Sequence, residues 1–530
     1  MLQALRFLPL AACLLTGSAL AQAPLYIEFG NNTQATDVTA TGSDFVVVGV
    51  NSLGNGFRWS FNTGVMTDIG PVTSSPRVSA DGNVIAATTT GLDGYDRASR
   101  WVGGVWTQGV GLGAASGTSE SVAIGISADG NTITGLGWVT AQEGHCYSWN
   151  QTTGVHDLGG VQPNPSSRGN AISANGSVIA GFHDQANGTR QGTHWVNGVE
   201  QLPFSFLDPV TSTTYDLGEA QGLNSAGTTI VGRVFYGAPA PYSSCGWRWD
   251  SGTGLSALPN LPGESDMANP VAVTNDGSWI VGDNGWDPWF SFSTLQTVLW
   301  INNVPQSFYG YLVAQGTQGL GAYTDLGWPA AISRDGGLIC GTGGGFFAAG
   351  TPSGGWVVIL PSAYEPGTSI CDPGSAGVLA CPCGNPPSGS GVGCNNSANT
   401  GGAKLTASGF SSLAVDSLHF TTSGEKPTAT SIVLQGTGVS TSGVLFGQGV
   451  RCAAGILKRL YVKTASAGAI SAPTGADLSV HARSAALGDT IVAGTHRYYG
   501  VYYRDPNVLG GCAAIDTYNI TQQIDVTWNP

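Results

Sequence analysis

Seven copies of one short pattern constrain what this chain can become. A tight turn of the form Ser/Thr-x-Asp-Gly, or a near relative, sits between two apolar stretches, as in "VSADGNVIAA" (78–87), "ISADGNTITG" (126–135) and "ISRDGGLICG" (332–341). The turn glycines are Gly42, Gly82, Gly130, Gly176, Gly227, Gly277 and Gly336, spaced 40–59 residues apart. A second marker keeps phase with them. Trp59, Trp101, Trp149, Trp195, Trp249, Trp300 and Trp356 each follow their glycine by 17–23 residues.

Within a copy the pattern reads as four strands. In the third these are "SVAIGIS" (121–127), "TITGLG" (132–137), "CYSWN" (146–150) and "VHDLGG" (155–160), with Asp-Gly supplying the hairpin turn between the first two. A four-stranded unit of 40–50 residues repeated seven times predicts an all-β chain: a seven-bladed β-propeller. A β-helix needs a shorter coil, and a string of sandwiches needs about 100 residues per unit. The turn is thus structural. The glycine five residues on (Gly135, Gly181, Gly232, Gly282, Gly341; Ala87 in the second copy) is expected where backbones pass closely. The tryptophans are expected as wedges between blades. The last copy lacks a fourth strand, and "PLYIEFGN" (24–31) is a strand without a blade, so the N-terminal strand is expected to complete blade seven and close the ring.

Residues 1–23 read as a signal peptide: Arg6, an apolar run over 7–15 too short to span a membrane, and A-x-A sites in "SALAQA". "LAAC" at 10–13 also resembles a lipoprotein signal, which would anchor the chain through Cys13. The expected location is secreted or cell-surface, with no transmembrane helix. Residues 24–370 carry 9 Arg, no Lys and 25 Asp plus Glu, which argues against nucleic acid as a partner.

The Ser-x-Asp-Gly turn, the second Gly, the Trp and the closing "DIG" or "DLG" (68–70, 157–159) resemble the extracellular HAF-repeat family of bacterial proteins over residues 38–360. The tripeptide that names the family is not kept before the Trp. The family carries no established enzymatic activity, so the resemblance implies architecture and an extracellular location more than chemistry.

Composition changes near residue 361. We divide the chain into a propeller (24–366), a Gly/Pro/Cys-rich linker that begins a C-terminal module (367–400), and a β-sandwich (401–530). "CPCGN", "GVRCAAG", "RLYVKTAS" and "YYRDP" resemble a terminal module of secreted proteins from environmental bacteria. Its Cys371, Cys381, Cys383, Cys394, Cys452 and Cys512 are candidate disulfide cysteines with 15 possible pairings. Cys452 with Cys512 is the expected first pair, since both lie outside the cysteine cluster. Zinc on Cys381, Cys383 and Cys394 is the competing reading. Of Cys146, Cys245 and Cys340, at least one is expected to be free or to pair elsewhere.

Candidate ligand-binding residues lie in the variable loops between second and third strands: Tyr95, Trp138, His183, Tyr236, Tyr242, Trp286, Asp287 and Trp289. "DNGWDPWFSFS" (283–293) is the richest loop, with aromatics for stacking on a sugar ring and carboxylates for its hydroxyls. The competing reading is that these aromatics pack the loop. His145, His183 and His194 could converge, but no carboxylate stands at metal-ligand spacing. No catalytic residue, metal or cofactor is assigned. The expected function is an exported, non-catalytic binding or adhesion protein, monomeric, whose ligand is a polysaccharide or cell-surface glycan. A carbohydrate hydrolase or lyase using channel carboxylates, and a structural envelope protein, are the alternatives.

Overall fold

The computed structural model describes residues 23–41, 44–108, 120–140, 143–159, 166–234, 246–263, 267–286, 295–334, 336–343, 350–360, 366–409, 411, 413, 416–509, 512 and 517–528. Residues 1–22, Cys13 among them, lie outside these. The chain is all-β, 52% strand and 3% helix.

Among the described residues, seven four-stranded antiparallel sheets follow the repeat. Sheet one is Gln34–Ala40, Phe45–Val50, Asn55–Ser60 and Met66–Pro71, and sheet two is Arg77–Val78, Val84–Thr90, Asp96–Val102 and Val105–Gln108. Sheet three is Ser121–Ile126, Thr132–Trp138, Gly144–Asn150 and Gly154–Asp157. Sheet four is Ser167–Ile172, Val178–Asp184, Arg190–Val196 and Val199–Glu200. Sheet five is Glu219–Leu223, Thr229–Arg233, Gly246–Asp250 and Gly254–Leu258. Sheet six is Met267–Val273, Trp279–Trp286, Thr297–Ile301 and Val304–Ser307. Sheet seven is Trp328–Ile332, Leu338–Thr342 and Gly354–Ile359, with Leu25–Asn31 as its fourth strand, Leu25 opposite Ile359 and Glu28 opposite Trp356. The second strand of each sheet packs on the first strand of the next, and that of sheet seven packs on Gln34–Ala40 of sheet one.

The repeated turn has a local cause. Ser127 Oγ donates to Asp129 Oδ1 at 2.5 Å and accepts the Thr132 amide at 2.9 Å, while Asp129 Oδ1 accepts the Asn131 amide. Gly130 takes φ +69°, which L side chains adopt at a cost. Ser79 with Asp81, Ser173 with Asn175 and Thr274 with Asp276 repeat the arrangement. Asn serves as well as Asp because the role is that of a short side-chain acceptor.

The second glycine answers to a β-bulge. In sheets one and three to seven the first strand skips a register step opposite it. A Cβ on Gly181 would lie 1.8 Å from the Arg168 carbonyl oxygen, and one on Gly135 1.9 Å from that of Val122. The first strand of sheet two is only Arg77–Val78, and there Ala87 is accommodated. The tryptophans stitch sheet to sheet. Trp195 Nε1 donates to Leu158 O, Trp300 to Pro259 O and Trp356 to Leu326 O, each across to the preceding repeat. Two described helices had no sequence signal: Val480–Ala486, and Phe308–Ala314, capped by Ser307, which packs Phe308 against Trp356.

In the C-terminal part a six-stranded sheet comprises Thr368–Ser369, Thr430–Phe446, Gly449–Thr464, His496–Arg504, Tyr518–Ile520 and Ile524–Thr527. A three-stranded sheet comprises Lys404–Ser408, His419–Ser423 and Ser471–Ala472. Leu405 and Phe420 of the small sheet share one core with Val433, Tyr499 and Tyr503 of the large one.

All six cysteines of this part are paired, which leaves no thiolates for zinc: Cys371–Cys452, Cys381–Cys394 and Cys383–Cys512. The expected Cys452–Cys512 pair is therefore corrected. Gln523 explains why. Its backbone carbonyl accepts the Ile370 amide and its side chain accepts the Cys452 amide, so the chain entering this part runs beside Cys452 and brings Cys371 to it, 5.8 Å between Cα atoms. Cys146 and Cys340 are free and buried, and Cys245 lies outside the described residues.

Candidate functional site

The first strands of all seven sheets line one cavity of about 480 Å³. The bulges shape it. Ile124, Asn170, Gln221, Val271 and Ala330, the residues skipped in register, all lie in its lining. A bulge re-aims its extra residue, so the feature that demands the second glycine also furnishes the cavity wall.

One mouth is formed by the x positions of the Ser-x-Asp-Gly turns. The Ala80 amide donates to Ala128 O, Ala128 to Ala174 O and Ala174 to Ser225 O. The Ser225 amide donates to Asn275 Oδ1 at 3.2 Å and the Asn275 amide to Arg334 O at 3.0 Å. Thr39 Oγ1, in sheet one, donates to Ala80 O.

Among the described residues, four charged ones reach the cavity: Asp37, Arg77, Arg168 and Arg334. Asp37 accepts the Val38 and Val78 amides, each at 2.9 Å. Burial pushes its carboxyl above the usual range, against the pull of Arg77. Arg168 leads to a buried cluster that the sequence did not announce. Glu219 is fully buried and receives Arg233 at 2.7 Å, Arg168 at 3.4 Å and Arg190, with Gln221 Nε2 donating at 2.6 Å. Burial opposes the charge on Glu219, but Arg233, Arg168 and Arg190 outweigh it and hold the carboxyl below its usual range. Arg190 and Arg168 also stand over the Phe182 ring, at 3.8 and 4.8 Å from its centroid. An ionised carboxylate locked by three guanidiniums is a poor proton carrier; it positions the arginines. The only available signal was compositional: arginines, never lysines, at the strand ends of an acidic chain.

The sequence-derived candidates are dispersed. Tyr95 is exposed beside the Asp93–Arg97 ion pair, and Trp138 is half-buried at the end of its strand; neither lines the cavity. His183 is buried and bonded to Glu200 at 2.5 Å. The Trp286 backbone lies opposite Met267. Tyr236, Tyr242, Asp287 and Trp289 lie outside the described residues. The three histidines have separate partners. His145 bonds Asp157 at 2.9 Å and His194 stacks on Phe204. Among the described residues no three His, Cys, Asp or Glu stand together as a metal site.

No family model and no curated protein matches this chain. Solved structures do. TolB from Acinetobacter baumannii aligns over 52% of this chain and 62% of its own length, at 12% identity and a TM-score of 0.28. The β-propeller domain of the trilobed protease from Pyrococcus furiosus aligns over 58% and 91%, at 13% identity and 0.37. The RRP9 WD40 repeats align over 64% and 99%, at 12% and 0.35.

Three disulfides belong to an oxidising compartment, extracellular or periplasmic. No described helix is long and apolar enough to cross a membrane.

Proposed function

We propose that this chain is an exported, non-catalytic binding protein: HAF-type repeats forming a seven-bladed propeller closed by Leu25–Asn31, followed by a β-sandwich module, with a polysaccharide or surface glycan as ligand. The observation that carries the reading is the channel. It is an open cavity of ligand size, and the one carboxylate among its described lining residues, Asp37, is held by two backbone amides. A glycosidase needs two carboxyl groups flanking the scissile bond, and the described lining offers one. The polar wall of Asn170, Gln221 and Asn275 suits hydroxyl recognition. The N-terminal pairing with Gly354–Ile359 and the sheet-to-sheet packing support the closed ring.

The test is retention of the mature chain in gels containing a panel of polysaccharides, with product analysis of any polymer that retards it. Retardation without cleavage is expected. Cleavage would replace the reading with a hydrolase or lyase, and passage through every polymer would overturn glycan binding.

A further inference from the structure

The nine arginines of residues 24–370 are not spread evenly in use. Arg58, Arg100 and Arg248 donate to the carbonyls of Gly82, Gly130 and Gly277, the turn glycines of the next repeat. Arg97 is held by Asp93, and Arg190 and Arg233 by Glu219. The remaining three, Arg77, Arg168 and Arg334, line the cavity. In a segment where Asp and Glu outnumber Arg by 25 to 9, the described residues of the cavity lining include three arginines and one aspartate. Arg168 is paired with Glu219 and one aspartate stands against the other two arginines, so the described lining keeps a net positive charge that favours an anion.

Arg334 differs from the other two. Arg77 gives Nε to Ile124 O and Nη1 to Thr36 O, and Arg168 gives Nε to Asn170 and Nη2 to Glu219. Arg334 enters the hydrogen-bonded mouth through its backbone carbonyl alone. Among the described residues no hydrogen bond engages its guanidinium, and its charge acts on the Asp37 carboxyl without a direct contact. Equivalent positions are filled by Ala80, Ala128 and Ala174, so the fold asks for nothing larger there. At the same mouth Ser225 Oγ is buried and, among the described residues, has no hydrogen-bond partner.

We propose that this mouth receives the carboxylate of an acidic sugar residue, with the Arg334 guanidinium as its anchor and Ser225 Oγ as a hydroxyl partner; this rests on the glycan-binding reading above. A guanidinium fork matches a planar carboxylate in two parallel hydrogen bonds. A cavity of about 480 Å³ holds one to two sugar rings.

The experiment is calorimetric titration of the mature chain with a tetramer of galacturonate, a tetramer of galactose, and acetate, at low and high salt, for wild type and Arg334→Gln. Arg168→Gln is avoided because it would strip a partner from buried Glu219. The galacturonate tetramer is expected to bind at least 10-fold tighter than the galactose tetramer. That preference is expected to shrink with salt and vanish in Arg334→Gln, whose unfolding midpoint stays at the wild-type value. Equal binding of both tetramers, or a preference that survives Arg334→Gln, would overturn the anchor and leave glycan binding standing. Acetate binding as tight as the tetramer would overturn the sugar part. Binding of neither tetramer would overturn the acidic-sugar anchor, and the polysaccharide panel separately decides the glycan reading.

Discussion

The Ala80 amide donates to the Ala128 carbonyl at 2.8 Å, joining the x position of one Ser-x-Asp-Gly turn to the x position of the next. The arginine of the preceding repeat reinforces the same place: Arg58 Nε reaches Gly82 O and Arg100 Nε reaches Gly130 O, both at 2.8 Å. The motif therefore works twice. Its side chains close the hairpin locally, and its backbone links neighbouring sheets.

The bulge predicts which glycines tolerate change. Gly181→Ala would drive a Cβ to 1.8 Å from the Arg168 carbonyl, backbone against backbone. We expect a loss of about 1–3 kcal/mol or more in urea unfolding. Gly252→Ala meets nothing within 4 Å and should stay within about 0.5 kcal/mol of wild type.

Glu219→Gln removes the counter-charge of three arginines. Breaking a buried ion pair costs about 3–5 kcal/mol, and a loss of that order is expected at neutral pH. The carboxyl lies below its ordinary range in the fold, so its contribution is present above the unfolded-state value and is lost as pH falls through the folded one. The gap between wild type and variant should persist through mildly acidic pH and narrow only below the ordinary glutamate range. A gap that closes higher would contradict the cluster.

His145 donates or accepts at Asp157, 2.9 Å away, and stands 3.5 Å from Glu143. The hydrogen bond to Asp157 raises the imidazole against its burial, and that bond lowers the Asp157 carboxyl against its own. The histidine's share of stability is complete below its unfolded value and fades as pH rises through the folded one. The aspartate's share is complete above its unfolded value and fades on acidification. The pair is strongest between the two folded values. NMR titration should show the His145 midpoint above that of a free histidine, and Asp157→Asn should lower it.

Peptide mapping without reductant should recover Cys371–Cys452, Cys381–Cys394 and Cys383–Cys512. Burial pushes the Cys146 and Cys340 thiols far up. Alkylation of the native chain should leave both unmodified, and denaturant should expose both. Native labelling of either would contradict its burial.

The sequence by itself determined the repeat. Turn glycine, second glycine and tryptophan are local or nearest-neighbour requirements, so each copy spells out its own hairpin, bulge and wedge, and the phase of the copies delimits the sheets. The unpaired strand at 24–31 was legible because the last copy lacked one. Only tertiary structure decided what lies far apart in the chain. Cys371 meets Cys452 through Gln523, which no cysteine spacing encodes. Arg168, Arg190, Glu219 and Arg233 come from three hairpins in two sheets, and their meeting depends on how one sheet packs on the next. The channel depends on the same packing. Loop aromatics draw the eye in a sequence because they are large, whereas the cavity wall is made of single bulge residues whose direction is set by a register shift between strands.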